Sequence, residues 1–312
     1  MKYIFTNVLG SYVFNEGLKT IDFIPFKLAQ EYEQKNAAEQ KLKKKHPDSQ
    51  PLPPEKLTQV LSSFHDPKYY SALYQYNLYL TKKAIKAAVS EDQLIIQTIA
   101  NVTELDRSSN LLTKRLREWN SLQLPELSEN IHSHEKFTES VADKKKEQLL
   151  KELNISAAES MGAELRLVDI EEIQQLAKAI RELQRLRLHH EQYLEQIMRT
   201  YCPNFMELAG VMVGAKLLEL AKSLKHLALL PASTIQLLGA EKALFRHIKT
   251  GARSPKYGIL YQHPLIQNCK PSLRGKAART LADKLSLCAR LDYFKGEFKA
   301  KEYRKELESR FG

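Results

Sequence analysis

Apolar, aromatic and β-branched residues crowd Tyr3 to Leu9 and then Tyr12 to Phe14, with Gly10-Ser11 between them. That pattern predicts two short strands closed by a turn. Ile21 to Phe26, interrupted by Pro25, predicts a further strand at a sheet edge, because proline cannot donate to a central ladder. Leu28 to Lys44 then reads as a helix of rising charge, and the proline-rich stretch from His46 to Pro54 reads as a loop. From about Asp66 onward apolar residues recur at three- and four-residue spacing with few glycines, so the β content ends early.

Two stretches keep heptad spacing. Leu124, Leu127, Ile131, His134, Thr138 and Val141 form a short seam, and Ile173, Leu176, Ile180, Leu183, Arg187, His190, Leu194, Ile197 and Tyr201 form a longer one. The two are expected to lie antiparallel, reversing near Asn154-Ile155-Ser156 and Met161-Gly162, with Asp169 placed to cap the second helix. Arg187 and His190 interrupt the apolar seam, as a polar layer that fixes register would. Cys202-Pro203-Asn204 closes the hairpin, and a compact helical region follows. The expected fold is mainly α: a small N-terminal α/β domain at residues 1–85, a long antiparallel coiled-coil helical hairpin at 86–202, and an all-α C-terminal domain at 203–312.

Charge changes the picture. The chain of 312 residues carries a net +11, and from Pro231 to Gly312 there are 17 Lys and Arg against 7 Asp and Glu, leaving 31 against 30 before that point. The C-terminal quarter is thus an electrostatic footprint for a polyanion. Three cysteines without Cys-x-x-Cys spacing give neither a disulfide framework nor a zinc site. No leader pattern and no long apolar window are visible, so a cytoplasmic protein without a membrane span is expected. Gly210 and Gly214 read as close core packing and Trp119 as a core or inter-domain anchor, while Lys41 to Lys45 and Lys144 to Lys146 read as solvated helix ends.

No glycine-rich strand-to-helix turn is present to hold a nucleotide or methyl-donor cofactor. His132 and His134 fall on different helix faces and His189 and His190 are adjacent, so these pairs lack the spacing of a helix-borne metal site. These four, with His247 and His263, read as structural or RNA-facing. A basic adaptor for anionic membrane is disfavoured, because the excess charge lies on a loop with glycine and proline and not on a broad amphipathic helix.

The strongest local signal starts at Gly239. Gly239-Ala240-Glu241 opens a helix whose first-turn amides need acceptors, which RNA phosphates can supply. Lys242, Arg246 and Lys249 share one face, and Ala243, Leu244, Phe245 and Ile248 offer apolar surface for a core or a partner. Taken alone, the plainer reading is a helix with a buried Leu-Phe edge and a solvated basic face. The following loop shifts the balance, since Lys249, Arg253 and Lys256 lie among Gly251, Pro255, Tyr257 and Gly258, presenting fixed cations and a stacking ring. With Arg274, Lys276 and Arg279 counted, residues 231–282 hold nine basic residues and one acidic.

The run Gly239-Ala-Glu-Lys-Ala-Leu-Phe-Arg246, the basic loop through Tyr257-Gly258 and the sequence Tyr261-Gln-His-Pro264 closely resemble the Nop domain. Arg115-Leu-Arg-Glu-Trp119 with Pro125-Glu-Leu127 resembles the family's entry into its coiled coil, and Ser160-Met-Gly-Ala163 its hairpin turn. Asn120 and Gln123-Leu124 depart from the family's aromatic and His-Phe, which bears on local helix packing. The sequence stops without the long charged tail of nucleolar relatives or the extension of the spliceosomal branch, so an archaeal member is expected.

The resemblance implies a non-catalytic scaffold of a box C/D ribonucleoprotein. Its N-terminal unit would dock the methyltransferase fibrillarin, its coiled coil would pair two copies, and its Nop domain would grip guide RNA already bearing a small kink-turn-binding protein. S-adenosylmethionine is expected on fibrillarin, with no cofactor on this chain. The composite RNA and protein surface would fall to Gly239 through Lys242, and Ala243 through Arg246 would approach the RNA, with His247, Lys249, Arg253, Lys256 and Tyr257 beside them. A spliceosome-type Nop factor and a general basic helical adaptor are the alternatives.

Overall fold

The computed structural model describes residues 1–311, which pack as two compact units, Met1–Ser90 and Glu91 onward. In the first, β1 (Lys2–Asn7), β2 (Gly10–Phe14), β3 (Thr20–Pro25) and β4 (Ser49–Pro51) form one sheet in the order β3-β2-β1-β4. The hairpin turns at Val8-Leu9, two residues before the expected Gly10-Ser11, because the Asn7 side chain accepts the Leu9 N–H at 2.8 Å. Pro25 sits on an edge strand as its missing donor requires.

β4 lies inside the stretch read as a loop. It pairs parallel to β1, with Lys2 opposite Ser49 and Ile4 opposite Pro51, and its edge position tolerates Pro51. Strand alternation then sorts the side chains. Ile4 and Val13 pack with fully buried Leu42 of α1 (Lys35–Lys45), whereas Tyr3, Tyr12 and Phe14 pack with Val60 of α2 (Pro54–Ser62) and with Phe64. Burying a side chain such as Leu42 contributes about 1.5–3 kcal/mol. α3 (Pro67–Ala87) starts at Asp66, whose carboxylate accepts the Lys68 N–H, and its Tyr76 hydroxyl donates to the Lys27 carbonyl at 2.6 Å.

The second unit opens with α4 (Glu91–Asn120), continues through α5 (Glu126–Asn130), α6 (His134–Asp143) and α7 (Lys146–Leu153), and returns along the 35-residue α8 (Leu167–Tyr201). α4 and α8 are antiparallel: Asp92 accepts from Tyr201 at 2.9 Å, Asn101 bonds His190 at 2.9 Å, and Asp106 pairs with Arg187. The main partner of α8 is therefore α4, and the 124–141 segment that its heptads suggested packs on it second, through α6. That segment breaks at Ile131–Ser133, where the Ser133 hydroxyl caps α6. Arg187 also meets Glu191 one turn on along α8 at 3.0 Å, so the polar layer has partners both on its own helix and, through Asp106, across the hairpin.

The seam of α8 is also rotated from the expected one. Ile173, Ile180 and Leu194 are buried as read, but the alternate positions are Ala177 and Met198, while Leu176, Leu183, His190 and Ile197 are only half-buried. Ala177 lies in the same core as Leu116, Phe137 and Ile173. Asp169 lies in the first turn of α8, which begins at Leu167, and pairs with the side chain of Arg166 at 2.8 Å instead of capping the helix. Trp119 is 40% exposed and so anchors no core within this chain.

At the hairpin tip, Leu116, Leu124, Leu127, Phe137, Val141, Leu149 and Ile173 form a separate core. The Ser160–Ala163 loop is laid directly on the 122–126 turn. Glu126 accepts the Met161 N–H at 2.7 Å and the Ala163 N–H meets the Leu122 carbonyl at 2.8 Å. A Cβ on Gly162 would stand 1.9 Å from the Gln123 carbonyl oxygen, so no other residue fits. The departures Asn120 and Gln123 answer one another, Gln123 Nε2 donating to Asn120 Oδ1 at 3.0 Å.

After Cys202 the chain forms α9 (Pro203–Ala209), α10 (Val211–Ala221), α11 (Leu224–Leu229), α12 (Ala232–Leu237), α13 (Glu241–Thr250), α14 (Pro264–Asn268), α15 (Arg274–Tyr293) and α16 (Ala300–Phe311). α15 is central, with α9, α11, α12, α14 and α16 packed on it, and its Ala277, Ala278, Leu281, Leu285 and Cys288 are fully buried. Gly214 does serve close packing, its Cβ position lying 3.0 Å from Met198 Cε. Gly210, read as its partner on one helix face, instead breaks the chain between α9 and α10 at φ +73°. His263 caps α14, its Nδ1 accepting the Leu265 N–H at 3.2 Å, so its Nε2–H donates to the Leu208 carbonyl at 3.0 Å.

Gly162→Ala is expected to lower stability by about 1–3 kcal/mol, as forced overpacking does, and equilibrium urea unfolding reads it. Burial holds the His263 pKa below its ordinary 6.5. The unfolded chain therefore binds this proton first, so the stability contributed by neutral His263 is present above about pH 6.5 and is lost as pH falls below it. Urea midpoints at about pH 7.5 and pH 5 should differ more for the wild type than for His263→Gln.

Candidate nucleic-acid interface

α12 ends at Leu237, and the chain turns through Gly239 at φ +84° into α13. The Glu241 carboxylate accepts the Gly239 N–H at 2.7 Å, so the amide just ahead of the α13 N-cap has an internal acceptor. Ala240 is the N-cap residue and contributes no side-chain bond. Lys242, Arg246 and Lys249 are exposed along one face. Ala243 and Leu244 are half-buried, and no residue of α13 is fully buried. Phe245 is 65% and Ile248 73% exposed, so the expected buried Leu-Phe edge is not formed within this chain.

Gly251 ends α13 in the left-handed region, and the His247 Nδ1–H donates to the Ala252 carbonyl, latching the loop that follows. Arg253 and Lys256 project into solvent. The far end of the loop is fastened to α12: Gln236 Nε2 donates to the Lys256 carbonyl at 2.5 Å, and the Gly258 N–H to the Gln236 carbonyl at 3.0 Å. A Cβ on Gly258 would lie 1.9 Å from the Leu238 carbonyl oxygen, which is the physical reason for glycine there. Tyr257 is half-buried and stacks on Tyr261 with centroids 5.1 Å apart, so that ring face is occupied within the chain. The Arg274 guanidinium lies 5.7 Å from the Tyr261 centroid and donates to the Gln267 and Cys269 carbonyls.

Among the described residues, Lys242, Arg246, Lys249, Arg253, Lys256, Lys276 and Arg279 have no carboxylate within 4.0 Å, and the sequence from Lys242 to Ala282 contains none. Elsewhere in the same quarter Lys284 meets Glu306 at 2.6 Å and Arg304 meets Glu207 at 3.1 Å. Lys270, Arg274, Arg290, Lys295, Lys301, Lys305 and Arg310 likewise meet no carboxylate within 4.0 Å among the described residues, so what sets this surface apart is the stretch from Lys242 to Ala282 without an acid, whose field attracts anions. Lys276 and Arg279, on the first turns of α15, come against Lys256 around one cavity. The basic count had included both, but only the fold places them beside the loop.

The remaining histidines have ordinary surroundings. His134 accepts from Arg117 at 3.3 Å, its pKa lowered by burial and by that cation, while His132 and His189 are exposed. Among the described residues no helix is long and apolar enough to cross a membrane.

Residues 101–312 match the Nop family, described as "snoRNA binding domain, fibrillarin". A NOP5 family protein of Methanocaldococcus jannaschii is 41% identical over an alignment of 258 residues that covers 78% of this chain and 62% of that relative. Nucleolar protein 56 of Schizosaccharomyces pombe is 38% identical over an alignment of 222 residues that covers 65% of this chain and 45% of that relative. This chain thus spans less than two thirds of each of these relatives. A solved chain of a fibrillarin/Nop5p complex is 27% identical, with 96% of this chain and 98% of that one covered and a TM-score of 0.45. With the family matched over most of its length, the Gly239–Arg246 run and the basic loop included, the chain belongs to the Nop family.

Proposed function

We propose that this chain is the scaffold subunit of a box C/D ribonucleoprotein, bridging a guide RNA that carries a kink-turn-binding protein to the methyltransferase fibrillarin for guided 2′-O-methylation. The observation that carries the reading is the set of seven unneutralised cations on α13, its loop and the start of α15. Phosphates would supply the missing negative charge and release their own counterions on binding. The exposed Phe245 and Ile248 stand on the same helix as the cations, which suits a surface shared between RNA and a protein already on it.

In this reading the division of labour follows residues 1–85 for fibrillarin, 86–202 for self-association through the coiled coil and 203–312 for RNA. The chain itself contributes geometry and no catalysis; S-adenosylmethionine belongs to fibrillarin, and the assembly works in the cytoplasm.

Binding of the purified chain to box C/D RNA should strengthen when the kink-turn-binding protein is already on the RNA. Arg246→Ala and Arg253→Ala should each weaken it by about 1.5 kcal/mol, roughly tenfold, as loss of a charged hydrogen bond does. Affinity indifferent to the RNA fold, to the partner and to both arginines would instead mark a general polyanion binder and refute the scaffold reading.

A further inference from the structure

We propose that Lys2 is an acylation site that takes an acyl group from an anionic donor such as an acyl phosphate, with His46 as proton acceptor and Asp22 behind it. All three residues belong to the Met1–Ser90 unit, so the site is independent of RNA binding. Lys2 Nζ donates to His46 Nδ1 at 3.3 Å and the His46 Nε2–H donates to Asp22 Oδ2 at 3.2 Å, one tautomer serving both bonds. An amine, a base and a carboxylate that orients the base, in one row, is the arrangement that activates a weak nucleophile. Lys45, Lys68 and Lys83 of the same unit meet the carboxylates of Asp22, Asp66 and Glu33, and Lys56 meets the Tyr3 hydroxyl. Among the described residues Lys2 has no carboxylate within 4.0 Å. A carboxylate partner holds the proton on an amine, whereas a neutral imidazole nitrogen can accept one.

Strand alternation sets up the row. Asp22 lies opposite Val13 and Val13 opposite Ile4, so Lys2, two residues before Ile4, shares the face of the sheet on which Leu42 of α1 packs. His46 follows α1 directly. Its N–H meets the Leu42 carbonyl at 2.8 Å, and its own carbonyl accepts the Ser49 N–H at 3.0 Å and the Ser49 hydroxyl at 2.7 Å. The base is therefore fixed from both sides of the chain, and Lys2 and Asp22 stand on paired strands of one sheet. Lys43, Lys44 and Lys45 occupy the last turn of α1, all three exposed, and Lys45 lies 3.4 Å from Asp22. Their field favours a donor that carries a phosphate.

The Lys2 ammonium first gives one proton to water. As the neutral Nζ forms its bond to the acyl carbon, the nitrogen becomes acidic and its proton passes to His46 Nδ1, while Asp22 stabilises the imidazolium through Nε2–H. The carbon–oxygen bond to the phosphate breaks, the phosphate leaves with the bonding pair, and it takes the proton from the imidazolium to depart as hydrogen phosphate. The product is an amide, which water does not readily cleave, so the outcome is a lasting modification that removes one positive charge from β1 and not a catalytic cycle.

The test treats the full chain with acetyl phosphate and follows acetylation of Lys2, Lys43 and Lys44 separately by peptide mass spectrometry. Lys43 and Lys44 share the charged surroundings but have no such base, so they serve as internal references. In the folded chain Lys2 should react roughly tenfold faster than either, less than the hundredfold or more that a fully aligned general base supplies. In urea the three rates should converge, because the row of side chains is gone. His46→Gln can still hydrogen-bond to both neighbours but is no base, and it should slow Lys2 alone to the reference rate. Asp22→Asn keeps an acceptor oxygen without its charge and should slow Lys2 in part, which decides the matter should His46→Gln unfold the unit. A Lys2 no faster than Lys43 and Lys44 in the folded wild type, an advantage that persists in urea, or a Lys2 rate unchanged in these variants overturns the proposal.

Discussion

The buried pairing of Asn204 with Asp292 is the contact on which the C-terminal half depends. Asp292, on α15, accepts the Asn204 N–H at 3.1 Å, the Asn204 Nδ2–H at 2.9 Å and the Phe205 N–H at 2.8 Å, so one carboxylate satisfies the open start of α9. Asn204 Oδ1 in turn accepts the Lys299 and Ala300 N–H groups at 2.7 and 3.1 Å and so starts α16. Burial raises the Asp292 pKa, and the donors of Phe205 and Asn204 pull against that rise. Truncating either side chain would strand buried donors, at about 1–3 kcal/mol each. Two helices, α9 and α16, are thereby fixed on α15, and α15 also carries Lys276 and Arg279. The polar knot and the basic cavity lie near opposite ends of one helix.

Asp92 does for the hairpin what Asp292 does for the bundle. Its carboxylate accepts from the Tyr201 hydroxyl at 2.9 Å and from the Leu224 N–H at 3.0 Å, tying α4, α8 and the start of α11 into one body. Apolar contacts continue across the same junction, since Ile95, Ile99, Leu194 and Met198 share a core with Leu217, Leu281 and Leu285. A lever of paired helices joined to the basic region by both buried polar and apolar contacts suits a part that holds other components at fixed separation.

Much of this was legible in the sequence, and what escaped has identifiable causes. The crowding of aromatic and β-branched residues in Tyr3–Phe14 and heptad spacing in 173–201 are local signals, and they led to the sheet and to the long helix. β4 escaped because three residues pairing with a strand some forty-five positions earlier leave no local trace. The phase of the α8 seam escaped because leucines stand on both sides of it, and only the packing of the folded helices selects Ala177 over Leu176. The basic surface could be counted from the sequence but not shaped. That Glu241 occupies the start of α13, that Tyr257 lies on Tyr261, and that Lys256 faces α15 all depend on where the loop returns.

That return is decided by two glycines and one amide. Gly258 passes within contact of Leu238, and Gly239, whose Cβ would come 2.5 Å from Ile259 Cγ1, passes the same crossing from the other side. Gln236 then pins the Lys256 carbonyl. Between these points the chain must leave as a helix carrying Lys242, Arg246 and Lys249 and come back as a loop carrying Arg253 and Lys256. The cations are thus held apart by a closed backbone ring with both ends fastened to α12, and repulsion among them cannot be relieved by letting the loop drift outward. Such a surface is stiff in the absence of its anion, so less ordering opposes binding than if loose lysines had to be gathered.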